Sequence, residues 1–168
     1  MSKTGKLNQI WEAFLKRLEQ EVRLAYGDRL VTLAIFGSVA RESATPESDV
    51  DLLIVATDLP RGRMKRVSEF EQVETSLKNE LEIMAENGIQ AYLSPIFKTP
   101  DEVEAGSPLF LDMIFDVLIR YDRENFFKNF LEGFKRRLDA LGAKRIVQGD
   151  RWYWDLKPDY KPGDVIKL

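Results

Sequence analysis

Residues 30–56 read LVTLAIFGSVARESATPESDVDLLIVA and contain two apolar segments, LVTLAIF at 30–36 and VDLLIVA at 50–56. Both are rich in β-branched side chains and have the length of buried strands. Gly37 and Ser38 follow the first segment directly. A glycine lets the backbone approach a ligand without a Cβ clash, and a serine at a helix start can offer its N–H and hydroxyl to a phosphate. The stretch therefore predicts two central strands and a phosphate-binding turn.

Two carboxylates mark the second of these strands. Asp49 precedes the strand and Asp51 lies inside it. With a period of two they share one face, roughly 6–7 Å apart, and such a pair can hold a hard, oxygen-seeking cation. The structural alternative is a turn at Ser48 and Asp49 with a helix cap at Gly37 and Ser38. It leaves Asp51 unexplained. A carboxylate in a central strand loses its hydration, and a metal or another cation is needed to offset that cost.

Six residues of this stretch follow a pattern typical of one superfamily. They are Gly37, Ser38, Arg41, Ser48, Asp49 and Asp51. The pattern resembles the signature of the DNA polymerase beta-type nucleotidyltransferases, especially the small group called minimal nucleotidyltransferases. The resemblance implies an α/β (α+β) fold with a mixed sheet flanked by helices. It also implies that the first four residues bind the nucleotide and that the two aspartates are catalytic ligands of two Mg²⁺ ions, which would polarise the α-phosphate and stabilise the leaving pyrophosphate.

The resemblance also implies an activity and a kind of partner. Members of the superfamily transfer a nucleoside monophosphate, here AMP from ATP, to a hydroxyl on a small molecule, an RNA end or a protein tyrosine. Minimal members often act with a helical HEPN partner as the antitoxin of a toxin–antitoxin pair, some by adenylylating that partner. The alternative is a nucleotide-binding antitoxin with weak or no catalysis that silences a HEPN-like partner by contact.

Two positions depart from the superfamily pattern. Glu42 stands where a glycine is usual after the motif arginine. The third catalytic carboxylate, expected on a later strand at 89–97, is also missing, because the polar face of that strand carries no acid. That face consists of Gln90, Tyr92 and Ser94. A general base would then come from Asp101, Glu102, Glu104 or Asp112, or the protein would bind a nucleotide and turn it over poorly.

The amino-acid composition narrows the possible functions and kinds of site. The 168 residues suit one domain and include neither cysteine nor histidine, which excludes disulfides, cysteine zinc sites, thiol nucleophiles and Ser-His-Asp triads. The net charge of −3 argues against general nucleic-acid binding. No segment resembles a signal peptide or a membrane span, so we expect no membrane association and a cytoplasmic location.

The resemblance implies a nucleotidyltransferase-like domain, which we expect at 1–122, with a C-terminal helix, hairpin and tail at 123–168 packed on it. The predicted helices span 7–26, 61–86, 107–115 and 124–141, and the further strands span 89–97, 117–121 and a hairpin at 145–147 and 152–154.

Two further features of the sequence, a basic run and a pair of tryptophans, each allow two interpretations. The basic run containing Arg61, Arg63 and Arg66 opens a helix and is either solvated or in contact with phosphate or RNA. Trp152 and Trp154 share one face of the hairpin and either pack in the core or against a partner, or form a platform for stacking a base.

Overall fold

A mixed sheet forms the centre of the protein in a computed structural model that describes residues 3–149, 151–161 and 163–166. The strands are β1 (Leu30–Phe36), β2 (Val50–Ala56), β3 (Leu93–Lys98), β4 (Leu118–Asp122), β5 (Lys144–Gln148) and β6 (Arg151–Asp155). The helices are α1 (Lys3–Tyr26), α2 (Gly37–Ala40), α3 (Arg63–Ser76), α4 (Lys78–Glu86), α5 (Pro100–Glu104), α6 (Phe110–Met113) and α7 (Phe126–Leu141). The sheet order is β3-β2-β1-β4, and β5 and β6 pair separately as a hairpin.

The predicted α/β class is confirmed, because the sheet is mixed and has helices on both faces. Strand β1 runs antiparallel to β2 and β4, whereas β2 and β3 are parallel. One apolar core lies between the sheet and α1, α3 and α4, and the other lies between the sheet and α5, α6 and α7. No helix in the described part of the chain is long and apolar enough to cross a membrane.

Alternation along β2 decides which face carries the carboxylates. Leu52 and Ile54 point into the core under α1, and Leu53 and Val55 point into the core under α7. Asp51 has the parity of Leu53 and Val55, so it belongs to the face that α6 and α7 cover.

The predicted helix at 61–86 begins at Arg63 and is divided at Leu77. The side chains of Thr75 and Ser76 donate to the carbonyl oxygens of Glu71 and Gln72, at 2.8 and 3.0 Å. Hydroxyl groups that bond back to the preceding turn bend helices. The side chain of Leu77 is fully buried at this bend.

Other predicted boundaries shift by a few residues. Helix α1 begins at residue 3 instead of 7, α6 is shorter than predicted, and β4 lies one residue later. Strand β3 begins at Leu93 instead of residue 89, since the N–H of Gln90 donates to the carbonyl of Pro46 in a loop. Helix α7 begins two residues late, because Glu124 and Asn125 adopt positive φ. Asp150, in the predicted hairpin turn, and Pro162, Lys167 and Leu168 in the tail lie outside the described residues.

Arg66 in the basic run fits neither interpretation of that run. Its guanidinium donates to both carboxylate oxygens of Glu102, at 2.7 and 3.0 Å, and to the carbonyls of Pro60 and Phe97. This pairing holds the pKa of Glu102 below its usual value, and the N–H of Thr99 also bonds to that carboxylate. Arg66 therefore ties α3 to α5 at the carboxyl end of β3.

Replacing Arg66 with Gln is expected to lower the free energy of unfolding by about 1.5–3 kcal/mol, the range for hydrogen bonds to charged groups. Arg63→Gln is the matched control, because Arg63 is exposed and belongs to the same run. Urea denaturation measures both. Equal stability of the two variants would contradict a structural role for the Arg66 pair.

Candidate active site

The six motif residues meet where β1 ends and β2 begins. Because these strands are antiparallel, Phe36 at the end of β1 pairs with Asp51 near the start of β2. The turn at Gly37 and Ser38 therefore lies beside the carboxylates. Asp49 precedes β2 and is exposed, while Asp51 is half-buried.

The position of Gly37 requires glycine, because its backbone lies directly against the side chain of Asp51. Its φ is +72°, and a Cβ atom placed on it would overlap the Oδ2 atom of Asp51 and lie 3.1 Å from the Cγ atom. Only glycine meets both conditions without strain. The sequence predicted that the backbone at Gly37 approaches a ligand closely. In the structure the group that it approaches is the carboxylate of Asp51.

The loop after the turn is held by local hydrogen bonds. Ser43 N–H donates to the carbonyl of Ser38 at 3.0 Å, and the Oγ of Ser48 accepts from the N–H of Thr45 at 2.8 Å. Ser48 thus stabilises its own turn, as in the structural alternative. Glu42, where the superfamily pattern has glycine, takes a φ of +55°. That left-handed conformation favours glycine, so the glutamate strains the backbone at this position.

Asp51 sits in an unfavourable electrostatic environment. Burial raises its pKa above the usual value, and the neighbouring charge of Asp49 raises it further. The positive charge of Arg41 and a hydrogen bond from Ser94 act in the opposite direction. The net effect is a raised pKa, which means that the ionised form lacks full compensation within the described residues.

The expected third carboxylate is replaced by Ser94. In the parallel β2–β3 pair, Ser94 is the register partner of Asp51. Of the polar face predicted for this strand, Ser94 lies on the same side of the sheet as Asp51, whereas Gln90 and Tyr92 precede the strand. Among the described residues, no group of three acids, histidines or cysteines is placed to hold a metal ion. The site therefore offers two carboxylates and a hydroxyl.

Three of the four alternative acids lie at the wrong end of the sheet. Asp101, Glu102 and Glu104 belong to α5, which follows the carboxyl end of β3, and that end lies about 13 Å of strand away from Ser94 at the usual rise per residue. Glu102 is also engaged by Arg66. Asp112 lies on α6, where its Oδ1 accepts a hydrogen bond from Trp152 Nε1 at 2.9 Å.

The two hairpin tryptophans share a face, as predicted, but contact different groups. Trp154 stacks on Phe115, with ring centroids 5.9 Å apart, and packs against the core under α7. Trp152 lies against two guanidinium groups, those of Arg41 and Arg145, at 5.2 and 4.5 Å from its ring centroid. The core interpretation is correct for Trp154. No local pattern in the sequence shows that Trp152 reaches Arg41, because the two are far apart in the chain.

Comparison with known proteins gives matches over most of the chain. The nucleotidyltransferase domain family matches residues 14–110, more than half of the sequence. A protein of Methanocaldococcus jannaschii, provisionally named a protein adenylyltransferase, is 37% identical over 148 residues, which cover 87% of this chain and 92% of that protein.

Two toxin–antitoxin crystal structures are more distant. One, with AMP-PNP, has a TM-score of 0.44 and 12% identity, covering 74% of this chain and 92% of its own. The other, a mutant of the MntA–HpeT pair, has a TM-score of 0.43 and 10% identity, covering 72% and 87%. Likeness at this level supports no inference about function.

The matched region contains both motif strands, the Gly37 turn, Asp49 and Asp51. Together with the 37% identical relative, it confirms the resemblance found in the sequence. The chain belongs to the nucleotidyltransferase family and is a minimal nucleotidyltransferase of the DNA polymerase beta-type superfamily.

Proposed function

We propose that this nucleotidyltransferase transfers AMP from ATP, with Mg²⁺, to a hydroxyl group of a partner protein. The observation that carries the proposal is the Gly37 turn closed directly onto Asp51, with Asp49 beside it. The choice of AMP and of a protein acceptor is supported by the name of the Methanocaldococcus jannaschii relative. The resemblance found in the sequence supports a HEPN-like toxin as the acceptor.

The residues present fit a magnesium ion. Mg²⁺ is usually bound by one or two carboxylates together with substrate phosphates, and Asp49 and Asp51 supply such a pair. The raised pKa of Asp51 is the second argument, since a divalent cation would favour ionisation of both acids. When bound, Mg²⁺ would polarise the α-phosphate and neutralise charge on the leaving pyrophosphate.

The other residues of the site would bind the phosphates of the nucleotide and orient the Asp51 carboxylate. Ser38 can donate its N–H and its hydroxyl to phosphate oxygens, and Arg41 brings a positive charge to the same end of the sheet. Ser94, the register partner of Asp51 on β3, brings a hydroxyl beside that carboxylate. A serine hydroxyl is no base at neutral pH, so the proton of the acceptor hydroxyl would pass to Asp112, the remaining acid of the four considered, to water or to a group on the acceptor. Turnover should therefore be slow without the correct partner.

The direct test is incubation with Mg²⁺ and ATP labelled at the α-phosphate, together with a lysate of the source organism or the product of the neighbouring gene. Label on a protein supports the proposal. ATP labelled at the γ-phosphate is the control, because AMP transfer leaves that label on pyrophosphate.

Binding of the nucleotide is tested separately by melting temperature. A ligand that binds the native state stabilises it by mass action, so ATP with Mg²⁺ is expected to raise the melting temperature more than ATP with a chelator. Equal shifts would remove the case for a site bridged by metal.

The second candidate function is an antitoxin that binds nucleotide and acts by contact. Ser94 in place of the third carboxylate favours it. Nucleotide binding without transferred label, together with inhibition of a HEPN-like partner, would select it. For either function we propose a cytoplasmic location, where ATP is available, and no general binding of nucleic acid.

A further inference from the structure

The hairpin β5–β6 lies outside residues 14–110, the part of the chain that matches the nucleotidyltransferase domain family. Its Trp152 nevertheless lies against Arg41, with the guanidinium carbon 5.2 Å from the ring centroid. Arg41 follows the Gly37 turn, and its charge acts on Asp51. A residue from the end of the chain therefore contacts the motif arginine.

The Trp152 ring is itself fixed from two directions. Its Nε1 donates to Asp112 Oδ1 on α6 at 2.9 Å. The guanidinium of Arg145, on the neighbouring strand β5, lies 4.5 Å from the same ring and pairs with Asp116 at 3.7 Å. Trp152 is thus a fixed surface and not a mobile side chain packed loosely on the protein.

Arg41 has little else to hold it. Within the described residues its guanidinium forms no ion pair at 4.0 Å or less and no hydrogen bond, and only its backbone N–H is bonded, to the carbonyl of Gly37 at 3.2 Å. A long side chain without such partners loses conformational freedom when it engages a ligand. A planar guanidinium stacked on an aromatic ring has already lost part of it.

We propose that Trp152 is a positioning residue that holds the Arg41 guanidinium at the mouth of the site, where it meets the triphosphate of ATP. This inference rests on the proposed function. It makes the segment 123–168, which we propose packs on the domain at 1–122, a part of the nucleotide site. Under this proposal the ring of Trp152 binds the guanidinium groups of Arg41 and Arg145, and it does not serve as a platform for stacking a base.

The test is a double-mutant cycle on the dissociation constant of ATP with Mg²⁺, measured by calorimetry. Trp152→Ala is expected to weaken binding about 5- to 30-fold, the effect of a partly desolvated cation–π contact. In an Arg41→Ala background the same change should alter binding less than about twofold, because the residue through which Trp152 acts is absent. Trp152→Phe keeps an aromatic ring and should retain most of the affinity.

Trp154→Phe is the matched control. Trp154 lies on the same strand and face, and its Nε1 is buried without a hydrogen-bond partner in the described residues, so phenylalanine removes no bond there. It should leave ATP binding unchanged. Arg41→Lys is a second variant that does not disturb the hairpin. It keeps the charge and loses the planar stack, so it should weaken binding about as much as Trp152→Ala.

Fluorescence gives a readout that a purely structural role would not move. The chain has three tryptophans, and the variant Trp11→Phe with Trp154→Phe leaves Trp152 as the single tryptophan, which can be excited selectively over the tyrosines. Adding ATP with Mg²⁺ should change its emission. Equal losses from Trp152→Ala in both Arg41 backgrounds, or unchanged emission on binding, would overturn the inference while leaving the proposed function intact. No binding of ATP by the wild type would overturn both.

Discussion

Asp51→Asn is expected to reduce Mg²⁺-dependent AMP transfer by more than about 100-fold, since even outer partners of metal ligands cost 10–100-fold when they are changed. The amide keeps the shape of the side chain and removes the charge that a cation needs. Mg²⁺-dependent stabilisation by ATP should be lost with the activity. Asp101→Asn is the matched control, because Asp101 is an exposed acid at the opposite end of the sheet. It should leave both measurements unchanged.

The same substitution should not weaken the metal-free fold. The folded-state pKa of Asp51 is raised by burial and by Asp49, so this carboxyl favours folding while protonated and loses that contribution as pH rises through its folded-state pKa. Asp51→Asn carries no such dependence. Its stability relative to the wild type should grow with pH and reach a gain of about 0.5–2 kcal/mol, as at other strained functional sites.

Chemical denaturation across pH, with a chelator present, measures this difference. A metal-independent loss of about 3–5 kcal/mol at neutral pH, which disappears as Asp51 becomes protonated at low pH, would instead identify Asp51 as the buried partner of Arg41, since removing one member of a buried ion pair has that cost. Asp51 would then stabilise the fold as an ion-pair partner and would not be a metal ligand.

Gly37→Ala is the second change with a large expected effect. The methyl group would collide with the Asp51 carboxylate, and the backbone would be held at a φ of +72°, which disfavours alanine. We expect a loss of stability of about 1–3 kcal/mol, together with loss of ATP binding, because the carboxylate must move from its place. Thermal unfolding and calorimetry with ATP and Mg²⁺ measure the two effects.

Gly88→Ala separates the collision from the backbone strain. Gly88 has a similar φ of +81°, but a Cβ atom there would have no neighbour within 4 Å. It should show only the cost of the left-handed backbone and keep full ATP binding. If the Gly37 variant matched it in both respects, the contact between Gly37 and Asp51 would have no functional weight.

The two central strands were predictable because both of their faces are buried. Continuous apolar segments leave few alternatives to a strand, and the structure has strands at Leu30–Phe36 and Val50–Ala56, with the bounds that the sequence suggested. The position of Asp51 inside β2 follows from the same pattern. Its proximity to Gly37 follows from the antiparallel return of the chain.

Features set by contacts between distant residues were not predictable in this way. The ion pair of Arg66 with Glu102 and the stacking of Arg41 on Trp152 depend on how separate elements pack. One missed element did have a local signal. Thr99 and Glu102 form a capping box around a proline at the start of α5, a spacing visible in the sequence TPDE.

The contact between the hairpin and the motif turn divides the protein into parts that can change at different rates. Asp51 stands on a strand buried on both faces, so most substitutions around it would damage the core. The hairpin reaches the same site from outside the sheet, through one ring against one guanidinium. Substitutions in the hairpin can therefore change the contact with Arg41 without rebuilding the strand that carries Asp51.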